Sequence, residues 1–136
     1  MTIWKYGDNV NTDMLFPGKY TYTCNTADEI KPHLLEDLDP LFAKNVKEGD
    51  LIIAGKNFGC GSSREHPSVG LAYIGIQAIL VKSVNRIFYR SSVNQGLMLI
   101  VQPDAVDAFK PGDSVEVDYS DSIIRIGEKS FSFAPL

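Results

Sequence analysis

Thiols are scarce: Cys24 and Cys60 are the only two in 136 residues, and they form no Cys-x-x-Cys pair. Iron–sulfur clusters ordinarily take four thiolates, so this chain has too few to hold one alone, and it carries no metal-binding string. Histidine is equally rare, with His33 and His66 alone. No apolar run approaches the ~18 residues of a membrane span, and no basic-then-apolar leader opens the chain. The expectation is a cytoplasmic protein with reduced thiols. Charge of one sign is also lacking: 17 acidic against 13 basic side chains leave a net −4, which argues against a nucleic-acid surface. No repeat, low-complexity tract or linker stands out, and the length suits one domain over residues 1–136 with its own core.

Three familiar loop signatures are missing as well. A dinucleotide fingerprint needs glycine three places after its second glycine, but Arg64 stands there after Gly59 and Gly61. A P-loop needs Gly-Lys-Ser/Thr, and that string is absent. A hydrolase elbow needs glycine two places after its serine; Ser63 has Gly61 before it but Glu65 after it. What residues 57 to 67 do contain is Asn-Phe-Gly-Cys-Gly-Ser-Ser-Arg-Glu-His-Pro. Upstream, Leu51 to Gly55 reads as a short buried strand; downstream, Val69, Ala72, Tyr73 and Ile76 recur at helical spacing. The string therefore joins a strand to a helix. A helix N-terminus leaves backbone N–H groups unpaired and partly positive, so it favours an anion.

In that setting each residue type has a use. Gly59 and Gly61 let backbone come close to a ligand. Ser62 or Ser63 can cap the helix, and Arg64 can fork two hydrogen bonds onto a carboxylate. Glu65 and Pro67 suit a first helical turn. Taken alone the two serines read as ordinary caps; Arg64 and the flanking match turn the reading toward an anion site. Cys60 reads as a small space-filling residue.

The remaining pattern predicts a strand at Thr2–Lys5, a loop over Thr12–Tyr20 with a turn at Pro17-Gly18, and short Pro-interrupted helices between residues 27 and 44. A strand follows at Gln77–Lys82. Ser83–Gln95 is then a helix whose Val84, Ile87, Phe88 and Val93 share a face, ended by Gly96. Leu97–Val101 is a strand, Pro103–Phe109 a short helix, and Val115–Tyr119, Ile123–Ile126 and Phe131–Phe133 a β meander. The fold class is α/β: a parallel βαβαβ core plus an antiparallel β section.

Residues Asn57 to Pro67 resemble the signature of the small subunits of 3-isopropylmalate dehydratases, in the aconitase superfamily. Asp8-Asn9-Val10-Asn11-Thr12-Asp13 with Pro17-Gly18-Lys19-Tyr20, and Asn94-Gln95-Gly96-Leu97, resemble two further segments of that family, so the similarity covers most of residues 5–101. The chain stops short of a C-terminal extension common in the family. The resemblance implies the swivelling β/β/α domain of aconitases, with the serine loop at the edge of its active site. It implies that Ser62 is the catalytic base, that Arg64 clamps a substrate carboxylate, and that Ser63 and Gly61 help bind it. It also implies a large partner subunit bearing a 4Fe-4S cluster, this chain holding no cofactor and no metal itself.

The segment after Lys19-Tyr20 touches the variable side chain of the substrate in such relatives. Here Tyr20-Thr21-Tyr22-Thr23 offers no arginine for a third carboxylate, so an apolar or small side chain is favoured, although Lys19 is a nearby charge. The function expected is interconversion of 2- and 3-isopropylmalate in leucine biosynthesis, by a hydro-lyase active only with the large subunit. A related dehydratase acting on dimethylmalate, methylmalate (citramalate) or homoaconitate stands as the alternative. A non-catalytic dicarboxylate-binding domain is the rival from another class. Of the other polar residues, Asp13 is read as forming an Asx turn, His66 as solvated in the first helical turn, His33 as peripheral, and Arg86 and Arg90 as exposed helix charges.

Overall fold

A computed structural model describes residues 2–61 and 65–134. Its centre is a parallel sheet of four short strands: β1 (Ile3–Lys5), β2 (Leu51–Ile53), β3 (Ala78–Val81) and β4 (Leu99–Val101), adjacent in chain order. β2 and β3 are buried at every position, as strands covered on both faces must be. Their side chains alternate between two cores. Ile52, Ala54, Ile79 and Val81 face a cluster with Phe16, Leu34, Phe42, Phe58, Leu71 and Phe88. Leu51, Ile53, Ala78 and Leu80 face a second with Ala105, Val106, Phe109, Ile124 and Ile126.

Different layers cover these two faces. On the first lie the short helices α1 (Thr12–Leu15), α2 (Ala27–Ile30) and α3 (Phe42–Asn45), with the crossover helices α4 (His66–Tyr73) and α5 (Arg86–Asn94). On the second lie α6 (Pro103–Ala108) and an antiparallel sheet, β5 (Val115–Asp118), β6 (Ile123–Ile126) and β7 (Lys129–Ser132). The result is helix, parallel sheet and antiparallel sheet in three layers, the β/β/α order expected.

One buried carboxylate ties the sheet edge together. Asp50, 1% exposed, accepts N–H bonds from Thr2 (2.8 Å), the Trp4 indole (3.1 Å) and Lys47 (2.9 Å). Burial alone would raise its pKa, but the three donors outweigh it and hold the carboxyl below its ordinary value.

Several boundaries differ from the sequence pattern, for local reasons. The expected loop from Thr12 contains the helical turn α1, because the Asn11 side chain accepts the Met14 N–H at 2.8 Å and caps it. That places the capping role on Asn11, with Asp13 inside the first turn. α5 starts at Arg86, not Ser83, since Val84 is engaged in a parallel bridge with Phe58 and Asn85 is the cap. Its buried face is Phe88 and Ser92, whereas Ile87 and Val93 are exposed, so the apolar face assigned to this helix is corrected. Among the described residues no helix is long and apolar enough to cross a membrane.

Candidate functional site

Ser62, Ser63 and Arg64 lie outside the described residues, so the site is built here from its shoulders. The upstream shoulder is the loop that continues β2 past the carboxyl end of the sheet, where open α/β sheets place their ligands. Backbone on both sides extends the parallel ladder around it. Gly55 N–H donates to Gly7 C=O (3.0 Å), Gly59 N–H to Val10 C=O (2.7 Å) and Thr12 N–H to Cys60 C=O (2.8 Å). From the other side, Phe58 N–H donates to Ser83 C=O (3.1 Å) and Asn85 N–H to Phe58 C=O (2.8 Å).

Two glycines are needed here for different reasons. Gly59 sits at φ +74°, and a Cβ there would lie 2.4 Å from Phe88 Cγ. Its missing side chain thus makes room for a core ring, which replaces the expectation that it admits a ligand. Gly61, at φ +102°, has Thr12 Oγ1 at 3.3 Å and Asn11 Cβ at 3.7 Å from where an added Cβ would stand. Gly61 is the last described residue before the serine–arginine segment. Cys60 is half-buried and both thiols are free.

The downstream shoulder is the start of α4. Its N-cap position falls on Glu65, which makes no side-chain capping bond, and Pro67 stands in the first turn. Since the helix begins at His66, the N-cap position lies two residues beyond Ser63 in the chain. His66 is not a solvated first-turn residue. Its ring stacks on Phe16 (centroids 5.3 Å apart, planes 1° apart), and its Nε2 lies 3.2 Å from the Cys24 carbonyl oxygen.

The 20–23 segment, expected to set substrate choice, runs up to Cys24, whose carbonyl meets His66. A 3₁₀ turn over Gly18–Tyr20 leads into it, and Tyr20 is anchored. Its ring stacks on His33 at 3.8 Å and its hydroxyl donates to the Glu36 carboxylate at 3.0 Å, while His33 Nδ1 lies 3.1 Å from the same carboxylate. The His33 contact, with Tyr20 and Lys19 nearby, holds the Glu36 carboxyl below its ordinary pKa against a smaller effect of burial. Partial burial and that carboxylate push the Tyr20 hydroxyl's pKa up, so it remains a donor. His33, read from sequence as peripheral, is therefore part of a brace. Thr21 Oγ1 donates to Gly18 C=O at 2.7 Å, Thr23 Oγ1 to Tyr20 C=O at 3.4 Å, and Tyr22 is 92% exposed. Arg86 and Arg90 are exposed on α5, as expected.

The aconitase C-terminal domain pattern matches residues 8–105. The chain belongs to that family. Within it, the chain is 45% identical over 130 residues to the 3-isopropylmalate dehydratase small subunit of Halothermothrix orenii, covering 96% of this chain and 78% of the relative. It is 47% identical over 126 residues to the corresponding small subunit of Aquifex aeolicus, covering 90% and 73%. The solved 3-isopropylmalate dehydratase structure from Methanocaldococcus jannaschii superposes with a TM-score of 0.89 at 41% identity, over 98% of this chain and 79% of that one. The aconitase-type fold read from the sequence is thus the fold the chain has. Sequence reasoning missed the packed His66, the Glu36–His33 brace and Asp50. His66 and Asp50 join residues more than 40 positions apart, which no local spacing marks. His33 and Glu36 are only three apart, and what the sequence hides there is the Tyr20 ring and hydroxyl they hold. Among the described residues no group of three His, Cys, Asp or Glu is placed to hold a metal ion.

Proposed function

We propose that this chain is the small subunit of a two-chain hydro-lyase that interconverts 2- and 3-isopropylmalate by dehydration and rehydration, a step of leucine biosynthesis. The carrying observation is the seat of the Gly-Cys-Gly-Ser-Ser-Arg string. It leaves the carboxyl edge of a parallel sheet, bonded through Cys60 to α1, and re-enters at α4 against Phe16 and Cys24. Identity of 45–47% to named small subunits supports the same activity.

In this reading Ser62 is the base. Its oxygen takes the proton from the carbon beside the hydroxyl-bearing one; the C–H electron pair becomes the C=C bond as the hydroxyl leaves the neighbouring carbon. Water returning with the opposite placement gives the isomer. A free serine is a weak base, so its anion needs N–H donors and a cation close by, the parts assigned to Gly61, Ser63 and Arg64. Arg64 would also grip one substrate carboxylate by a two-pronged hydrogen bond. Cys24 and Cys60, the sequence's two cysteines, are too few for a cluster held by three or four thiolates. The 4Fe-4S cluster that the reaction class uses to bind the leaving hydroxyl is therefore assigned to the large subunit, and the domain over 1–136 works only with it. A cytoplasmic location goes with this role.

The test is to co-express the chain with its large subunit, reconstitute anaerobically, and follow the unsaturated intermediate with isopropylmalate, citramalate, dimethylmalate and homocitrate. Turnover of isopropylmalate, lost by about a thousandfold or more in Ser62→Ala, is expected. No turnover of any of the four overturns the reading. Tyr22, polar-tipped and 92% exposed in the segment that meets the variable side chain, favours one second reading. In it the preferred acid is the smaller citramalate or dimethylmalate.

A further inference from the structure

Both shoulders of the serine–arginine segment lean on α1. The upstream one does so through the Thr12 N–H bond to Cys60 C=O at 2.8 Å. The downstream one does so through His66, whose ring lies parallel to that of Phe16, the residue closing α1. The same imidazole also reaches the far end of the 20–23 segment, at the Cys24 carbonyl. A carbonyl oxygen only accepts, so Nε2 carries the hydrogen. Nδ1 is then the bare nitrogen, and it is buried with no hydrogen-bond partner among the described residues. An unpartnered buried nitrogen has a cost that a structural helix residue has no need to bear. A phenylalanine would stack on Phe16 equally well without it. What phenylalanine cannot supply is the N–H bond to Cys24.

We infer that His66 is a positioning residue that couples the loop of substrate choice to the segment carrying Ser62 and Arg64, so that one imidazole sets both side-chain preference and the alignment of the base. The inference rests on the function proposed above. His66 touches no reacting atom in it. Its stacked face fixes where α4 begins, and its N–H fixes where the 20–23 segment ends. A shift of either moves the carboxylate clamp relative to the side-chain wall. Misplacement of that kind lowers rate without removing any catalytic group.

The reconstituted two-chain complex tests this, with His66→Phe and His66→Gln beside the unmodified chain. His66→Phe keeps the stack and removes the bond; His66→Gln keeps an N–H donor of similar reach. Three quantities are read: kcat, KM and the ratio of kcat/KM for isopropylmalate over citramalate. For His66→Phe the ratio is expected to fall roughly three- to tenfold, the worth of one hydrogen bond, with substantial recovery in His66→Gln. Amide hydrogen exchange on the isolated chain is expected to rise at Cys24 and Asn25 in His66→Phe and to stay low around Leu51–Ile53. An unchanged ratio in a folded, active His66→Phe complex overturns the inference, whether or not exchange rises, because a merely structural role would leave preference alone. Should His66→Phe fail to fold, an unrecovered ratio in His66→Gln that equals that of His66→Ala overturns it. An inactive unmodified complex is a different failure: it removes the proposed function and this inference together.

Discussion

The loop after β2 runs toward the start of α4 and the loop after α1 reaches the same helix through Cys24 on His66, and the two loops are held by different means. The first is clamped chiefly by main-chain bonds to residues 7–12 on one side and 82–85 on the other, with the Asp8 carboxylate accepting from Lys56 N–H, Ser83 Oγ from Asn57 N–H and Asn9 Oδ1 from the Asn57 side-chain amide. The second is held by side chains: Tyr20 on His33 and Glu36, and the Cys24 carbonyl on His66. Main-chain bonds form with almost any side chain, so the first loop depends on few side chains beyond its glycines, Asn57 and the residues that bond to them. Side-chain bonds change with each substitution, so the second can be retuned without disturbing the first. Under the proposed function, this is a physical basis for keeping chemistry in one loop and substrate choice in the other.

The sharpest way to break the contrast is Gly59→Ala. Positive φ and a Cβ 2.4 Å from the Phe88 ring add backbone strain to overpacking. About 3 kcal/mol of stability should be lost, read as a lower urea midpoint at unchanged slope. The complex should lose most of its turnover, because the main-chain bond to Val10 and the Phe88 ring meet at this one residue. A loss below about 1 kcal/mol would mean that the first loop yields as easily as the second.

Asp50→Asn asks the same of the sheet edge beneath the clamp. The carboxyl is held below its ordinary pKa in the fold, so its contribution is fully present above the unfolded value near about 4 and is lost as pH falls through the folded one. The substitution should cost about 2 kcal/mol at pH 7, and it should flatten the acid side of the stability profile. Urea midpoints at pH 7, 4 and 3 for both chains check the sign: a variant that loses as much stability on acidification as the unmodified chain would refute it.

Glu36→Gln addresses the side-chain brace of the second loop. Its partners are His33 and the Tyr20 hydroxyl, all part-exposed, so solvent screening keeps the stability cost below about 1 kcal/mol. The expected effect is kinetic: KM rises severalfold while kcat stays within about twofold, since the base is untouched. A fall in kcat with KM unchanged would place the brace in the first loop's share of the work.

The same division explains what the sequence disclosed. Strands Leu51–Ile53 and Ala78–Val81, the Gly96 stop and the three-layer order were legible, because apolar period and turn residues act locally. The serine–arginine string stood out because its residue types are rare at that spacing, and its roles await the proposed tests. Hidden were α1 within an expected loop, set by one Asn11 side chain, and the buried face of α5, set by Phe58 claiming Val84. Hidden too were His66 and His33, whose partners lie 42 residues away at Cys24 and, for the stacked ring, at Tyr20. Most of these misses are long-range contacts overriding a local pattern; α1 is instead a local cap, Asn11 on Met14, three residues apart.

Tyr22→Ser carries the smallest structural effect and the cleanest reading of the second loop. Tyr22 is 92% exposed, so within this chain it has almost nothing to lose, and stability should move by less than about 0.5 kcal/mol. An aromatic ring that projects so far has most of its apolar surface available to a substrate side chain or to the large subunit. If it walls the side-chain pocket, serine enlarges that pocket. The kcat/KM ratio of isopropylmalate over citramalate should then rise severalfold, with kcat for the better substrate nearly unchanged. If it meets only the large subunit, both substrates lose kcat/KM in equal proportion and the ratio stays fixed. Only the first result leaves substrate choice with the side-chain-held loop.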